Sequence, residues 1–287
     1  MKKRHLKKRV IVLGVIILAL ILGFIFYPRQ SSSTTPKKQT VKVKKQTKKE
    51  LSYYKKENAQ RYQEYQKQHP EYSHEDVITY VNMNLDYDFY GKIIRQDHPN
   101  DLDTIVNKYY QLDPSYAPDD LVEINDQATP GSYGYPYRSH LVRKCVYDDF
   151  QALRKACQEK GFELYVASGY RSTKWQDEIY NHMANTYNQA KADETCSRPG
   201  HSEHTTGLSM DIGLDQYKLD DVIKHPQYQW FVSKLADYGF IIRYPDQKDK
   251  LTGYLYESWH LRYLGKDLAK KVTQSKLTYD EYYARHH

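Results

Sequence analysis

From Val10 to Tyr27 the chain runs 18 residues without a polar side chain before the ring of Tyr27. That is just long enough to span a bilayer and longer than a typical signal-peptide core. Residues 29–50 (RQSSSTTPKKQTVKVKKQTKKE) show no apolar periodicity and are rich in Lys, Ser and Thr. This composition predicts a disordered, self-repelling linker. Residues 51–68 read as a polar helix that packs through Tyr53, Tyr54, Tyr62 and Tyr65, with Pro70 at or just past its end. A short helix and an extended piece follow in HEDVITYVNMNLDYDFY. From His140 to Lys160, residues Leu141, Val142, Cys145, Val146, Phe150, Leu153 and Cys157 fall near helical spacing, and Gly161 closes the run. ELYVASGYRS reads as a short strand ending in a glycine turn, Thr173 to Tyr187 as a helix, and 188–203 as a polar loop. Gly207 to Gly213 alternates like a half-buried strand. Trp230 to Tyr238 is expected helical, Gly239 to Tyr244 and Glu257 to Tyr263 extended, and Asp267 to Val272 helical. Short glycine-bounded strands mixed with helices predict an α+β fold, with a small, mainly antiparallel sheet and helices packed on it. No internal repeat is visible. The expected organisation is a basic stub and membrane anchor at 1–28, the linker at 29–50, a polar helical lead-in at 51–74 and a main domain at 75–287.

Charge sharpens this division. The whole chain carries +7, but residues 1–50 carry +13 and residues 51–287 carry −6. The basic balance therefore belongs to the N-terminal arm and gives the folded part no nucleic-acid signature. Six Lys/Arg precede the apolar run, which favours a cytoplasmic N-terminus with the rest of the chain outside. The alternative is a cleaved signal peptide: Ser31 to Ser33 offer small residues but no Ala-x-Ala site. Either way the main domain is exported. Cys145, Cys157 and Cys196 are too few and too scattered for a disulfide framework. Cys145 and Cys157, twelve residues apart on one helix, lie roughly 18 Å from each other, and free thiols are the simpler expectation.

The densest candidate chemistry is His201 to Gly213, HSEHTTGLSMDIG. A catalytic zinc needs three ligands from His and carboxylates, an open position, and a base. The helical His-Glu-x-x-His solution is absent, so ligands would have to come from separate elements. His204 before a strand, Asp211 within it and His260 in ESWH are candidates, with Gly207 permitting a sharp turn. Glu257 stands three residues before His260, and on an ideal strand those positions face opposite sides. Both can reach one metal only if the segment bends near Ser258. From the residues alone each has a plainer reading. A lone histidine is more often a core or surface residue, Asp211 could cap a turn, Glu257 could be solvated, and Arg171 could pair with a surface acid.

SGYRS followed by Gln176, then HSEHTTGLSMDIG, then ESWHLRY, in this order, closely resembles the VanY-type D-alanyl-D-alanine carboxypeptidases. These are zinc peptidases of the bacterial cell wall and include the LdcB-type L,D-carboxypeptidases. The segment TIVNKYYQLDPSYAPDDLVEI at 104–124 resembles the stretch preceding their catalytic core, so the likeness extends over roughly 75–275. The resemblance implies a Zn2+ cofactor held by His204, Asp211 and His260, with Glu257 as general base. It makes Arg171 the cation that holds the substrate carbonyl oxygen or terminal carboxylate. Gln176, Ser202 and Trp259 would line the substrate pocket, and His201 has no assigned role. The implied activity is removal of the C-terminal D-Ala from peptidoglycan stem peptides. The alternatives within the same chemistry are L,D-carboxypeptidase action on tetrapeptides and cross-link cleavage. A non-catalytic wall-binding protein on the same scaffold would lack a ligand or the base, and none is missing from the motifs.

Overall fold

The computed structural model describes residues 51–124 and 139–287. The expected apolar span at 10–27 and the linker at 29–50 lie outside them. Among the described residues no helix is long and apolar enough to cross a membrane. Residues Glu50–His287 form one compact unit.

The described chain opens with helices α1 (Ala59–Gln68) and α2 (His74–Asn82). Strand β1 (Ile94–Arg95) pairs in parallel with β2 (Tyr110–Gln111), and β3 (Leu121–Glu123) pairs antiparallel with β4 (Leu141–Arg143). The long helix α3 (Lys144–Lys160) leads into β5 (Leu164–Ser168), followed by helices α4 (Thr173–Thr186) and α5 (Gln189–Thr195). Next come β6 (Ser209–Leu214), β7 (Tyr217–Lys218), α6 (Tyr228–Lys234), β8 (Phe240–Ile242), α7 (Asp249–Thr252) and β9 (His260–Tyr263). Helices α8 (Lys266–Ser275) and α9 (Tyr279–His286) end the chain. The main sheet has the order β5-β6-β9-β8, antiparallel throughout, with β7 folding back on the end of β6. This is a mixed arrangement of helices and antiparallel sheet.

Side-chain periodicity explains how the layers meet. Helix α3 buries Val146, Phe150, Leu153 and Cys157, a single stripe at helical spacing. The stripe packs on Val166, Met210, Ile212, Phe240 and Leu261 from the sheet. Strand residues alternate between faces. Met210, Ile212 and Leu214 of β6 therefore point into this core, and Ser209, Asp211 and Gly213 point to the other side. The core face commits the register, and the register puts Asp211 on the reverse face.

The N-terminal helices carry their own cluster around Tyr62, Tyr65, Val77, Ile78 and Val81. Hydrogen bonds tie it to the C-terminal helix: Asn82 Nδ2 donates to the Ala284 carbonyl at 3.4 Å, and Arg285 Nη1 donates to Glu75 Oε1 at 2.5 Å.

Several local expectations give way to tertiary context. The run expected helical from His140 begins as strand β4, because Leu141–Arg143 pair with β3 before α3 starts at Lys144. The loop expected at 188–203 contains α5, capped by Asn188, whose side chain accepts from Lys191 N. Its last residue, Glu203, opens a 3-10 turn, Glu203–Thr206. The strand expected from Glu257 starts only at His260. The preceding residues form a turn, with His260 N donating to the Glu257 carbonyl at 3.4 Å. All three cysteines are free: Cys157 and Cys196 are buried and Cys145 is exposed.

Phe150 is fully buried at the centre of the α3–sheet contact. Phe150→Ala should cost about 3–5 kcal/mol of unfolding free energy, read as a lower urea midpoint at unchanged slope. A loss below about 1 kcal/mol would contradict this packing.

Candidate metal centre

Two strands and two loops build the centre. Asp211 of β6 and His260 of β9 are directly paired residues in the antiparallel ladder. Their side chains therefore stand on the same face of the sheet. His204 enters from the 3-10 turn that ends at Gly207. Gly207 has φ +67, and a Cβ there would meet Arg143 Cγ at 2.9 Å, so a side chain at this turn is both strained and crowded.

The loop after β5 supplies the fourth wall. Gly169 passes so close to β4 that a Cβ would sit 2.3 Å from the Leu141 carbonyl oxygen. That approach lets the Gly169 carbonyl accept from His204 Nδ1 at 2.7 Å. Ser172, at the end of SGYRS, caps α4 by accepting from Trp175 N. Between them Arg171 turns into the centre.

The distances are short. His204 Nε2 lies 3.4 Å from Asp211 Oδ1, and His260 Nδ1 lies 3.0 Å from the same oxygen. The three candidate ligand atoms all lie within 4.8 Å of one another. Tetrahedral zinc with bonds of about 2 Å separates its ligand atoms by roughly 3.3 Å, so the set fits one ion with small adjustments. His204 Nε2 is buried and has no hydrogen-bond partner, while Nδ1 is engaged by the Gly169 carbonyl. A buried lone pair left over beside a carboxylate is the donor a metal requires.

Glu257 completes the cluster, with Oε2 3.6 Å from His260 Nδ1. The turn at Glu257–His260 is the bend that the i, i+3 spacing demanded. Arg171 Nη2 lies 3.6 Å from Asp211 Oδ2, and its Nη1 donates to Gln176 Oε1 at 3.1 Å. Gln176 Nε2 donates onward to the Ser197 carbonyl at 2.7 Å. Gln176 therefore fixes Arg171 against the segment after α5 and has few polar atoms left for a ligand. Ser202 and Trp259 line the same cleft, whose volume is about 330 Å³. His201 is buried elsewhere, with Nδ1 2.7 Å from the Asn107 carbonyl oxygen and its ring edge against Tyr90.

Burial and neighbouring charges set the protonation states. Burial works to raise the Asp211 carboxyl, but the adjacent His204 and His260 imidazoles hold it well below the usual range. Burial, with the Arg171 charge, pushes His204 down to about 4 and keeps it neutral. Burial opposes charge on His260, yet the Asp211 and Glu203 carboxylates push it up to about 9. Burial raises Glu257 to about 7, in the range suited to proton transfer near neutral pH.

Sequence reading overlooked Glu203, Arg243, Arg262 and Asp280, which form a fully buried charge network beside His260. The available signal was charge within otherwise apolar strand segments, GFIIRY and HLRY.

Comparison with known proteins points to the same family. The family model for VanY, D-alanyl-D-alanine carboxypeptidase, matches residues 139–266. YodJ of Bacillus subtilis is 37% identical over 191 residues, which is 66% of this chain and 69% of that protein. The solved LdcB LD-carboxypeptidase superimposes with a TM-score of 0.62 at 34% identity, covering 67% of this chain and 90% of its own. A solved vancomycin-resistance D,D-pentapeptidase VanY variant, in complex with Zn(II), gives a TM-score of 0.52 at 28% identity, covering 63% and 97%. The chain belongs to the VanY family of D-alanyl-D-alanine carboxypeptidases.

His204→Ala removes one of three donors and should leave the purified protein with clearly less zinc by elemental analysis. Full stoichiometric zinc in that variant would exclude His204 from the ligand set.

Proposed function

We propose that this chain is a zinc-dependent carboxypeptidase that releases the C-terminal D-Ala from peptidoglycan stem peptides, with D-Ala-D-Ala termini as its first substrate. The observation that carries the reading is the convergence of one donor atom each from His204, Asp211 and His260 within 4.8 Å in the lining of a cleft, with Glu257 and Arg171 beside them. The Zn(II) complex of the VanY relative supports the choice of metal.

When bound, zinc supplies a Lewis acid that polarises a carbonyl and lowers the pKa of water to about 7. Glu257 Oε2 takes the proton from the attacking water and returns it to the leaving amine. The Arg171 guanidinium offsets negative charge developing on the scissile carbonyl oxygen, or holds the terminal carboxylate. Gln176 keeps Arg171 aimed. Ser202 and Trp259 shape the wall against which the peptide lies.

A second reading is cleavage of a tetrapeptide as an L,D-carboxypeptidase, favoured by the 34% identity and TM-score of 0.62 to the LdcB enzyme. Both readings release D-Ala and differ in the stereochemistry of the residue before it. We further propose that residues 10–27 anchor the chain with the catalytic unit outside the membrane, or direct its secretion after cleavage. The charge imbalance between residues 1–50 and 51–287 supports export.

Purified protein incubated with defined penta- and tetrapeptides should release D-Ala, seen by mass spectrometry. Activity should vanish with a chelator and return with zinc. Pentapeptide turnover supports the first reading and tetrapeptide turnover the second; neither would exclude the proposed activity. Glu257→Gln should keep its zinc and lose roughly 100-fold or more in turnover, and undiminished hydrolysis would remove Glu257 as the base. In intact cells, added protease should degrade the catalytic unit; protection until lysis would overturn export.

A further inference from the structure

The two ring nitrogens of His260 have different neighbours. Nδ1 faces Asp211 and Glu257 at 3.0 and 3.6 Å. Nε2 lies on the other side, 3.8 Å from Glu203 Oε2, buried and without a hydrogen-bond partner. A ligating imidazole is neutral and gives one lone pair to the metal. If Nδ1 gives it, the proton must reside on Nε2. A buried N–H left without an acceptor costs about 1–3 kcal/mol. Glu203 Oε2 is the carboxylate oxygen that faces it.

Glu203 is unusually well held for such a task. Oε1 accepts from Arg243 Nε at 2.7 Å and from Arg262 Nη1 at 3.1 Å. Oε2 accepts from Ser209 Oγ at 3.1 Å. The side chains of Glu203, Arg243 and Arg262 have no exposed surface. Arg262 Nη2 also donates to the Leu102 and Thr104 carbonyls at 2.9 and 2.7 Å. Arg243 is gripped from behind by Asp280 of α9 at 2.5 and 3.1 Å, and Asn107 Nδ2 donates to Asp280 Oδ1 at 2.8 Å. The face of the His260 ring meets Tyr244, with centroids 5.1 Å apart. The ring is thus confined, and its Nε2 edge looks onto an oxygen that cannot turn away.

We propose that Glu203 is a positioning residue for the metal: its Oε2 accepts the Nε2 proton of His260 and fixes the tautomer and ring orientation in which Nδ1 meets zinc. This rests on the reading of His260 as a ligand. The plainer role, balancing Arg262 and Arg243, predicts loss of stability without loss of metal affinity in the molecules that fold. Removing a carboxylate of this kind typically weakens metal binding 10–100-fold.

The test measures the zinc dissociation constant by chelator competition on the full-length protein, with folding checked by near-UV circular dichroism. Glu203→Gln should bind zinc roughly 10–100-fold more weakly. Glu203→Asp, which keeps a charge for the two arginines but draws the carboxylate back from His260, should weaken it in the same direction and serves if Glu203→Gln does not fold. Asp280→Asn disturbs the same arginine network away from His260 and should lower stability while zinc affinity stays at the wild-type value. Wild-type affinity in a folded Glu203→Gln protein, or in Glu203→Asp where Glu203→Gln does not fold, would overturn the proposal. So would a loss in Asp280→Asn as large as that in the Glu203 variant. His260→Ala separates the two levels: if it binds zinc like wild type, the ligand reading itself fails. If it weakens binding while the Glu203 variants do not, only the positioning role falls.

Discussion

Everything at this centre depends on one constraint: charges placed behind the sheet must be compensated inside the protein. Asp211, His204, His260 and Glu203 converge on the sheet face opposite the apolar core, where solvent screens them little. Taking an ion out of water costs several kcal/mol unless partners replace the hydration. Here the partners form a continuous chain, from Asp280 on the last helix through Arg243 to Glu203, and from His260 and Asp211 to Arg171. The leftover capacity in this chain is small and localised. It includes the unpartnered ring nitrogens His204 Nε2 and His260 Nε2, one facing the candidate metal position and the other facing Glu203, and Arg171 Nε.

The apolar core makes that convergence cheap. The register that buries Met210 and Ile212 against α3 also aligns Asp211 with His260. Sliding β6 by one residue would expose the core face and scatter the polar set. The loops add what the sheet cannot supply. The turn at Glu257–His260 brings a carboxylate back beside the ligand that follows it, and the tight passage of Gly169 past β4 lets the Gly169 carbonyl orient His204.

Part of this was legible in the sequence for physical reasons. Helix α3 declared itself because four buried residues recur at helical spacing, and β6 because its residues alternate. The three separated motifs located the residues that meet at the centre, and the i, i+3 spacing of Glu257 and His260 correctly required a bend. What could not be read depended on distant partners. Strand β4 exists because β3 is there to pair with it, which no local pattern within His140–Lys160 records. Glu203 looked like one more polar residue in a polar loop. Its importance comes from arginines 40 and 59 positions away along the chain. Gln176 read as a pocket-lining amide, and it does line the cleft; that its amide also holds Arg171 and the Ser197 carbonyl needed the fold.

The most direct measurement is anomalous diffraction at the zinc absorption edge from crystals of the zinc-loaded protein. The account predicts a single strong peak bonded to His204 Nε2, Asp211 Oδ1 and His260 Nδ1 at about 2.0–2.2 Å, with Glu257 adjacent and unbound. A peak held by other residues, or none at this centre after loading with zinc, would contradict it.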